Sequence, residues 1–290
     1  MIEQLSILEN IDSAEPILQW MGGKKRLFNE IYKRFPKEFN RYYEPFIGGG
    51  FIAFKLGLEN TVINDLNKEL FNLYSEIKDN PYSISNKLNE IVINMPDNLK
   101  SKKEYYKHII HKRNRFWNKE NWEQHTQWLA AATIFLNAMS FNALYRVNSK
   151  NEYNSPFGKN RTKSSLNFDK KIMDLHKLMN QKNFQIFNLD YSDVLKMIEK
   201  NDFVYLDPPY DEADNMYLNS WKFKEQVRLK TVLDELTLRG VKWMVSNSDT
   251  ANIRTLYSSY KIEELKIKSN IASNLEHRTT INELIIRNYE

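Results

Sequence analysis

Short apolar runs alternate along the chain with stretches whose apolar residues recur at helical spacing. Phe203-Val204-Tyr205-Leu206 predicts a buried strand that stops at Asp207-Pro208-Pro209-Tyr210. Thr61-Val62-Ile63-Asn64-Asp65 is a second strand ending in an acid, and residues 183–189 form a third, with Asp190-Tyr191 at its end. Residues 241–246 predict another strand, and residues 261–268 and 281–288 a terminal hairpin. Leu27, Ile31 and Phe35 are spaced by four, which predicts a helix over residues 26–35. Residues 192–199 and 224–239 are further helices, the second closed by Gly240. Residues 124–144 form a long, Ala-rich helical stretch of large apolar side chains, read as buried. The alternation predicts an α/β fold with a Rossmann-like sheet built from residues 1–78 and 170–290. A mostly helical insertion interrupts it at residues 79–169.

Glycine changes the picture next. The chain holds eight, and five of them fall in two loops, Trp20-Met21-Gly22-Gly23-Lys24 and Glu44-Pro45-Phe46-Ile47-Gly48-Gly49-Gly50. The second stands between a strand and a helix, as in nucleotide-binding α/β folds, and Asp65 follows Glu44 by 21 residues. An acid at that spacing accepts hydrogen bonds from ribose hydroxyls, and Asp65 equally suits a cap on the following helix. The loop lacks the Gly-x-Gly-x-x-Gly pattern and the Lys-Ser/Thr of a P-loop, which disfavours dinucleotide and triphosphate ligands.

Charge singles out the insertion. Formal net charge is +5, a weak pointer to a polyanion by itself. Residues 100–117 carry seven Lys or Arg against one Glu, with Tyr105, Tyr106, Phe116 and Trp117 interleaved. Residues 146–171 carry seven against two acids, and a hairpin is predicted there, turning at Ser149-Lys150-Asn151. Basic side chains contact phosphate, and Arg and Asn read guanine and adenine edges, so the insertion points to nucleic acid. The chain has no cysteine, which excludes disulfides and thiolate catalysis, and the reading invokes no metal. Residues 1–16 hold no apolar signal core and no run is long enough to span a membrane, so a cytoplasmic protein is expected.

The Asp207 turn then acquires a chemistry. Proline lacks an N–H and has a fixed φ, so the turn offers carbonyls and a carboxylate as bare acceptors beside an aromatic ring. An exocyclic amine on a base could donate its two hydrogens to Asp207 and the Pro208 carbonyl while its ring stacks on Tyr210. Its lone pair would leave conjugation and become nucleophilic, by electrostatic preorganisation. Such an amine is reached only when the nucleotide leaves the duplex.

Taken in order, the Trp20 and Glu44 loops and Asp207-Pro208-Pro209-Tyr210 resemble the Dam-type, alpha-group DNA adenine-N6 methyltransferases. Phe141-Asn142-Ala143-Leu144-Tyr145-Arg146, Asn154-Ser155-Pro156-Phe157-Gly158, Ser246-Asn247-Ser248-Asp249 and the run from Ile281 to Ile286 look like that family too. The likeness covers roughly residues 16–289. It implies a catalytic domain of the S-adenosylmethionine-dependent methyltransferase type, an inserted target-recognition domain with a DNA-contacting hairpin near 141–158, and double-stranded DNA as partner. It implies Asp207, Pro208 and Tyr210 as catalytic residues. It further implies S-adenosylmethionine on Trp20, Lys24, Asp65 and Asp207, its methionine moiety on Glu44, Gly48 and Gly50, and its adenine by Asp190 and Tyr191. Phe46 is a candidate for cation–π contact with the sulfonium. On the DNA side, Phe141 and Asn142 would fill or pair the gap left by the flipped base, and Arg146 would read a guanine. Leu144, Asn148 and Pro156 complete the expected contacts, at a site containing GATC or GAT. A monomer working beside a restriction endonuclease fits the same likeness. Ala143 departs from the family's Gly, and the Leu275-Glu276-His277 loop is bulkier than expected. Related turns also serve cytosine-N4 and protein-glutamine methylation. An RNA or protein amine acceptor, and a DNA-binding module with an idle turn, therefore remain open readings.

Overall fold

The computed structural model describes residues 13–118, 121–158, 161–210, 221–268 and 280–290. Seven strands form one sheet: β1 Tyr42–Glu44, β2 Val62–Asn64, β3 Gln185–Phe187, β4 Phe203–Leu206, β5 Lys242–Ser248, β6 Lys261–Lys268 and β7 Thr280–Arg287. Their order is β3-β2-β1-β4-β5-β7-β6. The first five run parallel, and β7 pairs antiparallel with both β5 and β6. Parallel strands carry helices on both faces, so their sequences read as unbroken apolar runs. The period of two shows in where the side chains go. Tyr42, Phe203, Tyr205, Met244 and Ile285 join one core, and Tyr43, Val204, Leu206, Trp243, Val245, Leu284 and Ile286 the other.

The second core lies against α8 Tyr191–Lys196, α9 Phe223–Leu238 and α10 Ala251–Leu256. Helix α9 presents Leu229, Leu233 and Leu236 to it, each burial worth roughly 1.5–3 kcal/mol. Gly240 closes that helix at φ +75°, as predicted. The first core takes α1 Phe28–Tyr32, α2 Phe51–Leu56, α3 Lys68–Asp79, α4 Pro81–Ile93, α5 Leu99–Asn118, α6 Thr126–Met139 and α7 Asp169–Gln181. Buried residues of the insertion helices α4, α5 and α6 belong to the same hydrophobic cluster as that face of the sheet.

Several predicted boundaries move. The helix expected over 26–35 is a 3-10 turn, Lys24–Arg26, followed by the single-turn α1. The long helix stops at Met139 rather than 144, because Ser140 turns extended with ψ of 155°, and Asn142 and Ala143 beyond it take φ of +53° and +54°, where no right-handed helix resumes. The predicted hairpin is present without a regular ladder. Val147 and Tyr153 bridge, Asn148 N–H donates to the Glu152 carbonyl, and Asn154 N–H to that of Arg146. The Leu275-Glu276-His277 loop lies outside the described residues. No helix among the described residues is long and apolar enough to cross a membrane.

Candidate active site

One cleft of about 1120 Å³ opens at the carboxyl ends of β1, β2, β3 and β4, where open α/β sheets bind ligands. All twelve residues that sequence assigned to catalysis or cofactor line it, from Trp20 and Lys24 through Glu44, Asp65 and Asp190 to Tyr210. Local chemistry explains how they get there. Gly48 stands at φ +47° and Gly50 at +73°, and a Cβ on Gly48 would lie 3.0 Å from the Trp20 ring. The loop is held from beneath: the Gly48 N–H donates to Asp65 Oδ2 at 3.0 Å, and the Tyr74 hydroxyl to the Gly48 carbonyl at 2.7 Å. Asp65 Oδ1 accepts the Asn67 N–H at 2.9 Å. Asp65 therefore staples the glycine loop to β2. The cap on α3 is Asn67, whose side chain accepts from Glu69 N–H.

Lys24 is the hub. Only 5% exposed, its ammonium lies 2.7 Å from Asp207 Oδ1 and 3.2 Å from Glu283 Oε1. It also donates to the Tyr210 hydroxyl at 3.0 Å and the Gly22 carbonyl at 2.9 Å. Tyr210 in turn donates to Glu283 Oε1 at 2.7 Å. Burial pushes the Asp207 carboxyl up to about 6; Lys24 pulls it back and Glu283 adds to the rise. Burial draws the Lys24 ammonium down, but the charges of Asp207 and Glu283 outweigh it and leave the group raised. Among the described residues, Asp207 Oδ2 has no hydrogen-bond partner, so one carboxylate oxygen faces the cleft uncommitted.

Glu44 is 3% exposed and accepts from the Tyr42 hydroxyl at 3.0 Å. Burial raises it to about 8, against the pull of that hydrogen bond. At the other end, Phe46 meets Tyr191 and Trp221 at ring separations of 5.3 and 5.5 Å. Asp190 caps α8 through Ser192 and takes Arg228 on both oxygens, at 2.8 and 3.2 Å. Burial works against ionisation of Asp190, but Arg228 and Ser192 outweigh it and hold the carboxyl low.

The hairpin residues are placed apart from the cleft. Phe141, Asn142 and Arg146 are exposed, Leu144 is half-buried, and Pro156 is exposed with its carbonyl taken by the Phe141 N–H. Arg146 donates to the Asn154 side chain and carbonyl at 2.8 and 2.9 Å. Asn148 spends its amide on the turn, accepting from Lys150 and Glu152 N–H groups and donating to the Glu152 carboxylate. The hairpin touches the cleft through Val147 and Tyr145, the ring of Tyr145 lying 4.9 Å from that of Trp20. The basic run on α5 divides. Lys102 is buried, and Arg113 is fully buried and paired with Glu69, which also accepts from the Tyr145 hydroxyl. Lys103 and Lys107 remain exposed and border a groove shared with Pro156.

Glu283, Asn137, Tyr145 and Trp221 were not assigned from sequence. Asn137 accepts the Gln19 N–H and donates to the Gln19 and Ala143 carbonyls, tying the chain beside Trp20 to the start of the hairpin. Its signal was an amide inside an otherwise apolar helix; for Glu283 it was an acid directly before the apolar run Leu284-Ile285-Ile286.

Comparison with known proteins separates the readings that the turn alone left open. The chain is 32% identical over 290 residues to the type II methyltransferase M1.LlaDCHI of Lactococcus lactis subsp. cremoris, covering 97% of this chain and 98% of that protein. It is 31% identical over 294 residues to the type II methyltransferase M.MjaIII of Methanocaldococcus jannaschii, with 95% and 99% covered. It is 30% identical over 278 residues to the DNA adenine methylase of Haemophilus influenzae, with 93% and 92% covered. Residues 20–271 match the family whose description combines adenine specificity, N6 and DNA. With an ordered cleft around the Asp207 turn, the chain belongs to the D12 class N6 adenine-specific DNA methyltransferases.

Proposed function

We propose that this enzyme methylates N6 of an adenine swung out of duplex DNA, at a site containing GATC or GAT, and that Asp207, Pro208 and Tyr210 form the clamp on that base. The observation that carries this reading is the convergence of Asp207, Tyr210 and Glu283 on the buried Lys24 ammonium at the open edge of β4. The Asp207 carboxylate and the Pro208 carbonyl accept the two amine hydrogens, and Tyr210 stacks on the ring. Lys24 keeps Asp207 ionised against its burial. Asp207 takes the proton that the amine sheds once it carries the methyl.

The cleft suits S-adenosylmethionine, the family's methyl donor, which supplies an electrophilic methyl on a sulfonium. A glycine loop with no room for a Cβ under Trp20, the buried Glu44 and the half-buried Asp65 match a ligand with a cationic amino-acid end and a flat nucleoside. Trp20, Lys24, Glu44, Gly48 and Gly50 would hold the amino-acid end. Asp65 shapes the loop, and Phe46, Asp190 and Tyr191, joined by Trp221, would flank the nucleoside.

Residues 79–169 are the target-recognition unit in this reading. Phe141 and Asn142 enter the gap left by the base. Arg146 reads a guanine with about 1–3 kcal/mol of discrimination, and Leu144, Asn148 and Pro156 line the same face. Two relatives named type II methyltransferases support partnership with a restriction endonuclease, in the cytoplasm of a bacterial or phage-infected cell. The enzyme acts as a monomer.

The test is nucleoside mass spectrometry of duplex DNA treated with wild type and Asp207→Ala. N6-methyladenine from the first and a loss of at least about 10³-fold in the second are expected. Transfer undiminished in Asp207→Ala would remove the clamp. Single-molecule sequencing of the product DNA reads the site, and methylation outside GAT-containing sequences would overturn that part.

A further inference from the structure

Two fully buried amides remain outside the chemistry described so far. Gln226 and Asn247 are both 0% exposed. Gln226 stands in the first turn of α9, on the stripe continued by Leu229, Leu233 and Leu236, where an apolar side chain would normally pack. Its Nε2 donates to the Pro209 carbonyl at 3.2 Å, and its Oε1 accepts from Asn247 Nδ2 at 3.0 Å. Asn247 Oδ1 accepts the Ser248 N–H at 2.9 Å. The relay has one polarity, fixed at both ends. A carbonyl cannot donate and a backbone N–H cannot accept, so neither amide can turn over without losing bonds. Burying an amide is costly unless its bonds are made, and here the bonds in series link the Asp207 turn through α9 to β5. Proline has no N–H, so its carbonyl is the backbone handle left for holding Pro209.

We infer that Gln226 and Asn247 are positioning residues for methyl transfer. They pin the Pro208-Pro209 backbone so that the Asp207 carboxylate and the Pro208 carbonyl stay at the separation the adenine amine requires. The inference rests on the reading of the Asp207 turn as the clamp. Neither Gln226 nor Asn247 lines the cleft, so removal of the relay is expected to lower the chemical step and leave binding in place.

The experiment measures single-turnover transfer, donor binding and fluorescence of 2-aminopurine at the target position, in the full chain on duplex DNA. Gln226→Leu is compared with Leu233→Ala, which opens the same stripe away from the turn. Gln226→Leu is expected to lose about 10²-fold in single-turnover rate, with donor and DNA affinities within about twofold of wild type. Leu233→Ala should keep its rate at a similar loss of melting temperature. Gln226→Glu gives a second readout. Only its protonated form can donate to Pro209, so its rate relative to wild type should rise as pH falls from about 8.5 to about 6.5. This arm decides the matter if Gln226→Leu does not fold. An unchanged rate in Gln226→Leu, an equal loss in Leu233→Ala, or a pH-independent ratio for Gln226→Glu would overturn the inference. Asp207→Ala separates the two levels: if it retains transfer, the clamp itself fails, and if it abolishes transfer while Gln226→Leu does not, only the relay fails.

Discussion

Ala143 carries a cost that one substitution can expose. Its φ of +54° follows Asn142 at +53°, two consecutive left-handed residues at the base of the hairpin. Asn tolerates that region, whereas an alanine there loses about 1–2 kcal/mol to contact between its Cβ and the following carbonyl. Glycine removes that strain but gives back about 0.5–1 kcal/mol in unfolded-chain entropy. Ala143→Gly is therefore expected to raise the melting temperature by a degree or two with methyl transfer retained, as calorimetry and a filter assay would register. A lower melting temperature would mean that the buried methyl outweighs the strain. The sequence marked this position as unusual but did not contain its dihedral angle, which α6 and the returning chain at Gly158 impose together.

At the scale of elements, α5 shows why a basic run cannot be read as a single surface. Its helical period sends Lys102 and Arg113 inward, one to the Arg161 carbonyl and the other to Glu69 and the Asn151 carbonyl. Lys103 and Lys107, one turn apart, stay in solvent beside Pro156. The basic run is expected to contact phosphate, and these two exposed ammonium groups are where that expectation is tested. Replacing both with Ala should reduce the slope of log affinity against log salt by about 2 and weaken binding evenly across DNA sequences. Titrations at several salt concentrations measure both quantities. An unchanged slope would take this helix out of the interface. The hairpin's mount on α5, through Arg113 and Asn114, could not have been foreseen, because its donors lie 38 and 39 residues from their acceptors.

For the whole molecule, the cleft collects three carboxyls whose partial or full burial opposes ionisation. Glu44 reaches about 8, and Asp65 and Asp207 about 6, each raised first by burial. A carboxyl whose folded value exceeds its unfolded one stabilises the fold fully below the unfolded value, and that contribution is lost as pH rises through the folded one. Between pH 6 and 8 the folded chain therefore holds a proton on Glu44 that the unfolded chain has released. Stability should fall there by at most about 1.4 kcal/mol per pH unit. Melting curves of the ligand-free enzyme should shift down over this range, and Glu44→Gln should flatten the dependence. A wild-type curve independent of pH would place Glu44 in water rather than in the core.

The chain by itself determined the alternation of elements, the glycine loops and the strand ends that carry Glu44, Asp65, Asp190 and Asp207. These depend on neighbours close in sequence: a period of two, a glycine where φ is positive, a proline pair after a strand. Tertiary structure alone decided which polar groups meet. Glu283 reaches Lys24 because β7 pairs antiparallel with β5, Asn137 reaches Gln19 because α6 crosses beneath the first loop, and Gln226 reaches Pro209 because α9 packs across β5. Each is a buried polar side chain on the core-facing side of its element, an exception to the apolar pattern of that face. Its partner is set by packing across more than a hundred residues in two of these cases, and no local rule encodes that distance.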